Sequence, residues 1–459
     1  MSGAATTLTE YDRIAHLFRR AGFGATHDEV TAAVGDGIQK TIDRLLSFDT
    51  DPSSITYDHV ADRLMENLVD FRDFADLQVW WIDKMVRSAN PLQEKMTLFW
   101  HGHFATGFSK VNQPLLMFQQ NQLFRQHALG NFKALTLAVS QNPAMILYLD
   151  NQTNRKGHAN ENYCRELMEL FTLGIGNYTE EDVHEGARAF TGWSCQPLTG
   201  RFFFRPRVHD DGVKTFLGQT GNWDGGDVVN MVVDNPACAR FIATKLFKFF
   251  VHDHPTPEDV EPFAQLFTRS GFEIKPVMAA IFRSDQFYSP LAVYGKARSP
   301  AEFVVGTLRN TGAEGPMRAA PYAMKSMGQE LFNPPNVKGW DGGMTWINTT
   351  TLLTRFNFAM QLARMNEANA PLIRDIHQQL DSGVITSPEE AVDYCSMRLM
   401  NRNLSAATRN VLLTYLETGP DGDQEPFDIN GPGRERAVAV RKIHGLLHMV
   451  MLTPEYQLV

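Results

Sequence analysis

Apolar residues recur along most of the chain at the three-and-four spacing of a helix with one buried side. The first such run is Thr9 to Arg20, with Ile14, Leu17 and Phe18 inward and the glycines of RRAGFGAT as its stop. Residues 28 to 48 give one or two short helices, and DTDPSS is a polar connector. A long helix follows from Leu64 to Arg87, and SANP separates it from another that begins near Leu92 and holds FWHGHF. Residues 112 to 149 continue as helices. From about Ala159 to Leu173 the pattern predicts a helix whose buried stripe is Tyr163, Leu167, Leu170 and Phe171. Thr179 with Asp182 matches a capping-box start for the next helix, in which Val183, Ala187 and Phe190 face inward while Glu185 and Arg188 face away. Strand signals cluster near residues 201 to 218, where RFFFRP and VKTFLG predict a small β-hairpin. Helices resume at NPACARFIATKLFKFFV and run to the end, broken by the long irregular loop LFNPPNVKGWDGGMTWINTT, after which Thr349 to Thr351 cap a helix.

This pattern predicts a mainly α, large multi-helix globular protein with a small β-hairpin insertion near residues 201–218. One helical domain over residues 1–459 accommodates it. Three subregions are distinguishable: a helical 1–195 with the candidate site, a hairpin and loop insertion at 196–236, and a helical 237–459 with the long loop at 331–350. A chain of 459 residues with 43% hydrophobic content can bury a core of that size. Its formal charge of −9 is spread without a basic block, which argues against a nucleic-acid or anionic-membrane partner. Cys164, Cys195, Cys238 and Cys395 lie far apart in no zinc-like pattern and are expected as reduced thiols. The start has neither a leader pattern nor an apolar span, so the cytoplasm is the expected location, with export if a leader was removed.

Candidate chemistry concentrates between Asn142 and Trp193, where carboxylates, amides and histidines are densest. Glu161, Arg165 and Glu169 follow at i, i+4 spacing as a solvated, salt-bridged face. Glu166 instead sits at the edge of the apolar stripe, where a carboxylate must find a hydrogen bond, a cation or a metal, or have its pKa raised. It is the first choice for a functional acid. In FWHGHF a helical count places His103 at the centre of the buried stripe and His101 about 200° away, more exposed, so the two would not chelate one ion together. His184 lies at the border of its helix and could approach the preceding one. HEGAR lacks the second histidine of a zincin, GFGATH lacks the third glycine of a dinucleotide site, and no nucleophile elbow is present. Arg201, Arg205 and Arg207 suit an anion, but arginines alternating with phenylalanines also describe a strand with one wet face. His209 to Asp211 and Asp224 with Asp227 read as turns. Ordered loops as long as residues 331–350 usually line or cover a site.

The run ENYCRELMELFTLGIGNYTEEDVHEGARAFTGW resembles the signature of the bacterial domain of unknown function 1800 family. RIAHLFRRAGFGAT, EKMTLFWHGHFAT, HDDGVKTFLG, LFNPPNVKGWDGGMTWINTTTLL and LTPEYQ extend the resemblance over nearly the whole chain. The family's name records no activity, so no catalytic residue is carried across. The resemblance does imply a partner, a sulfatase-like protein of the domain of unknown function 1501 family. Two functions fit the residues. One is an enzyme or metal-binding protein, hydrolytic if a divalent metal activates water, in which His103, Glu166 and His184 serve as catalytic residues or metal ligands. Arg165, Trp340 and Asn348 would then contact the substrate. The other is a non-catalytic binding or assembly protein in which the same polar residues form structural networks.

Overall fold

The computed structural model describes residues 8–48, 73–313, 318–419, 421–429, 431 and 433–459. The helices form where the pattern places them, and many of the starts carry their own cap. Thr9 caps Glu10–Ala21 and Thr179 caps Glu180–Ala189, both with reciprocal capping boxes. The long loop ends the same way, although Asn348 and not a threonine is the cap of Thr349–Ala363. Of the predicted Leu64–Arg87 helix, Phe74–Arg87 is seen, and residues 64–72 and the DTDPSS connector lie outside the described residues.

The buried apolar side chains form two clusters. One takes the N-terminal helices and most of the chain up to Ala292. The other joins the Phe74–Arg87 helix to the elements after residue 300. Between them runs the Pro91–His103 helix, which gives Met96, Phe99 and Trp100 to the first cluster and Leu98 to the second. A helix packed on every side has no solvated face. His101 is therefore 1% exposed and His103 4%, against the expectation that His101 would be open to solvent. Their directions do differ as the helical count requires. His103 meets the first cluster, whereas His101 meets Trp81 and Phe332 of the second.

The Asn142–Trp193 stretch departs from a simple helix. An α-helix at Asn162–Glu166 widens into a π-helix at Leu167–Thr172, ahead of the turn that leads to Glu180–Ala189. The wider turn rotates the residues within and beyond it, so Met168 and Thr172 join Tyr163, Leu167 and Phe171 inside, and Leu170 is only partly buried. The predicted stripe is corrected at that residue. Gly186 lets the second helix approach closely: a Cβ there would lie 2.3 Å from Cys164 Sγ and 2.9 Å from the Phe216 ring.

Two short antiparallel hairpins follow, where one was expected. β1, Trp193–Gln196, pairs with β2, Arg201–Phe204. β3, Lys214–Phe216, pairs with β4, Gln219–Gly221. Both predicted strand signals are real, but each takes a nearer neighbour. β3 folds over the Glu180–Ala189 helix, where Glu185 is buried and Arg188 half-buried although both were expected to face water. Arg188 binds Glu185 at 2.8 Å and Asp210 at 2.9 Å, and Glu185 accepts the Thr215 amide at 3.0 Å. The HDDGVKT run is thus a structural clasp on that helix. No described helix is long and apolar enough to cross a membrane.

Candidate functional site

The C-terminal end of the π-helix is where His103 acts. A helix's last carbonyls have no donors within the helix, and burial makes that costly. His103 Nε2 donates to the Phe171 carbonyl at 3.0 Å, and Lys245 Nζ donates to the Leu170 carbonyl at 2.9 Å. The same ammonium lies 3.2 Å from His103 Nδ1. Burial, then the Lys245 charge, pushes the imidazole well below its ordinary pKa, against the pull of the Phe171 carbonyl. His103 is therefore neutral, with Nε2 protonated and Nδ1 accepting from lysine. Burial and the charge of Lys338 push Lys245 down to about 8. Both nitrogens of His103 are occupied by this cap.

The other sequence candidates disperse. His184 is 52% exposed and touches Glu161 at 3.3 Å. Arg165 pairs with Glu161 at 3.1 Å and Glu180 at 2.7 Å, which bridges the two consecutive helices from outside. Trp340 packs on His101, with ring centroids 5.7 Å apart, and Asn348 is exposed at its cap. Among the described residues no three His, Cys, Asp or Glu side chains could hold a metal ion, so His103, Glu166 and His184 do not assemble as ligands. Glu166 is half-buried and has no hydrogen bond or ion pair among the described residues. Burial and the neighbouring Glu169 raise its pKa, with Arg165 opposing. Its charge in turn helps burial to raise the hydroxyl of Tyr148.

A cavity opens beside this helix, on the segment that precedes it. It is an open pocket of about 890 Å³ whose lining includes Gln152, Arg155, His158, Asn160, Glu161 and Arg205. The wall is built around buried Asn154, whose amide donates to the Ala187 carbonyl at 2.8 Å and whose Oδ1 accepts the Asn160 amide at 2.9 Å. Asn160 then accepts the Asn162 amide at 3.1 Å and donates to Thr153 at 3.2 Å. The β1–β2 hairpin closes the wall, because Gly192 N donates to Asn154 O at 3.1 Å and Arg205 N to Gly192 O at 2.8 Å. This loop is ordered by side-chain amides where regular structure is absent.

The electrostatics of the pocket run against the acidic chain. Arg155 and Arg205 have no carboxylate partner among the described residues, while Glu161, the one acid of the lining, is held by Arg165. Arg205 Nη2 donates to the Gln152 carbonyl at 2.6 Å. Its Nε, like Gln152 Oε1, is buried without a hydrogen-bond partner. The carboxamides of residues 151–162 were visible as a dense polar run. The contribution of Arg205, about fifty positions away, was visible only as one of three arginines beside phenylalanines.

A family model described as Protein of unknown function (DUF1800) matches residues 16–458. The chain belongs to the DUF1800 family. No curated protein and no solved structure matches it. As a DUF1800 protein it is matched over nearly its whole length, the pocket included.

Proposed function

We propose that this DUF1800 protein is a ligand-binding protein whose pocket at residues 152–162, Arg205 and Val208 takes a polar molecule bearing a carboxylate or phosphate. Arg205 carries the reading. A guanidinium that lines the open pocket, is held by one carbonyl and has no carboxylate partner among the described residues offers a ligand oxygen a charge-assisted hydrogen bond. Isothermal titration with citrate and inorganic phosphate tests it. The expected result is binding that weakens with added salt and falls at least about tenfold in Arg205→Gln, the scale of one charged hydrogen bond. Equal binding by Arg205→Gln, or no response to either anion, would remove the proposal. The sulfatase-like partner rests on the family resemblance alone and is tested by co-purification from cells expressing both proteins.

A second reading keeps Glu166 as a proton-transfer residue, favoured by its raised pKa and by having no ion pair among the described residues. A carboxyl whose folded pKa lies above its unfolded value lends stability that is present below the unfolded pKa and lost as pH rises through the folded one. Glu166→Gln should therefore melt no lower than the wild type at neutral pH, and the two should converge in acid. Any turnover found for the protein should vanish in the same variant. A markedly lower melting temperature would instead show a structural carboxylate.

A further inference from the structure

The long loop borders a second recess, distinct from the anion pocket. Residues 335–351 and the end of the Ala320–Ser326 helix enclose a groove of about 570 Å³. Its lining includes half-buried Trp340 and the largely buried Trp346, together with Asn336, Asp341, Thr345 and Asn348. Trp340 is backed by the His101 ring. Gly339, at φ +85°, brings the chain onto the end of the Pro91–His103 helix so closely that a Cβ would lie 2.4 Å from the Gly102 carbonyl. The wall is therefore fixed before any ligand arrives.

Charge and hydrogen bonding narrow the occupant. The cations at the rim are already neutralised, Lys325 by Glu330 at 2.7 Å and Lys338 by Asp341 at 2.5 Å. An anion would find no unpaired cation there. Two carboxamides present donors of fixed direction. Asn336 Oδ1 accepts the Lys338 amide at 2.9 Å and Asn348 Oδ1 accepts the Thr351 amide at 3.0 Å. Each oxygen is thus locked to backbone, and each NH₂ group has no acceptor among the described residues. An apolar segment laid in the groove would leave those donors unsatisfied. A sugar ring matches both features, because its C–H face stacks on an indole while its hydroxyls meet fixed amide donors and the Asp341 carboxylate at the edge. We propose that this groove binds a neutral oligosaccharide.

The experiment is isothermal titration of the full chain with cellohexaose, maltohexaose and chitohexaose, with polygalacturonate as an anionic control. At least one neutral hexasaccharide should bind. Asn336→Asp/Asn348→Asp should weaken it about tenfold or more, since it removes both donors while retaining the two Oδ1 acceptors that hold turn and cap. Its melting temperature should match that of the wild type. Trp340→Ala should abolish binding, and Arg205→Gln should leave it unchanged, which separates this groove from the anion pocket. The proposal is overturned if none of the three binds, if the double variant binds as well as the wild type, or if polygalacturonate alone binds.

Discussion

Glu94→Gln is expected to lower stability by about 3–5 kcal/mol, the scale for breaking a buried ion pair by removing one partner. Glu94 and Arg125 are 0% and 2% exposed and join the Pro91–His103 helix to the Pro114–Gln126 helix. The contact is a two-point fork, with Arg125 Nε to Oε1 at 2.5 Å and Nη2 to Oε2 at 2.8 Å, and Trp81 Nε1 adds a third bond at 3.1 Å. Burial is the largest single influence and would raise the carboxyl, but the Arg125 charge and hydrogen bonds, with the Lys84 charge and the Trp81 bond, together hold the pKa below its ordinary value. Gln keeps the volume and strands a cation that water does not reach. Urea denaturation should show the loss, whereas Glu94→Met/Arg125→Met should lie much nearer the wild type because neither charge remains. If the double variant is no more stable than Glu94→Gln, packing and not the stranded charge sets the cost.

The same helix shows which features were legible in the sequence. Its apolar stripe was readable from Leu92, Met96 and Phe99, because burial on one face leaves a local periodicity. That the opposite face is also buried was not, since Glu94 and Lys95 look like solvent residues. Their partners lie 31 and 207 positions away. Charged pairs made across such separations leave no periodic mark, and the expected exposure of His101 failed with them. Glu185 and Arg188 repeat the lesson. Their spacing reads as a surface pair until β3 and Asp210 fold back over them.

Legibility at the candidate site divides along the same line. The burial of His103 followed from helical phase, and so did its separation from His101. The role of His103 did not, because the Phe171 carbonyl it caps lies at the end of a π-helix that no spacing rule marks. The carboxylates that stand out in the sequence lie on the helix after residue 159, whereas the cavity is walled mainly by the amide-ordered segment before it. An irregular loop has no period, so its function had to be read from side-chain amides binding backbone, as at Asn154 and Asn160. The groove beside Trp340 was easier, since a long loop rich in proline and glycine announces an ordered wall by length alone.

Acid should unfold this protein in part through Glu302. Its carboxylate accepts from Lys95 Nζ at 2.5 Å and from the Ser299 amide at 2.8 Å, in the capping box of the Pro300–Thr311 helix. Burial opposes ionisation, yet the Lys95 charge and hydrogen bond, with Arg20 and the Ser299 amide, bring the pKa down from 4.5 to about 2. A depressed carboxyl contributes stability that is present above the unfolded pKa and lost as pH falls through the folded one. The window is therefore from about pH 4.5 down to pH 2, and the difference corresponds to about 3 kcal/mol. Glu302→Gln retains a side chain able to complete the capping box but cannot titrate. Urea midpoints of the two proteins should lie furthest apart above about pH 5 and draw together as pH falls toward 3, because Glu94 and the other acids titrate in both and cancel. A gap that stays constant through that range would mean that Glu302 stabilises the helix start by geometry and not by charge.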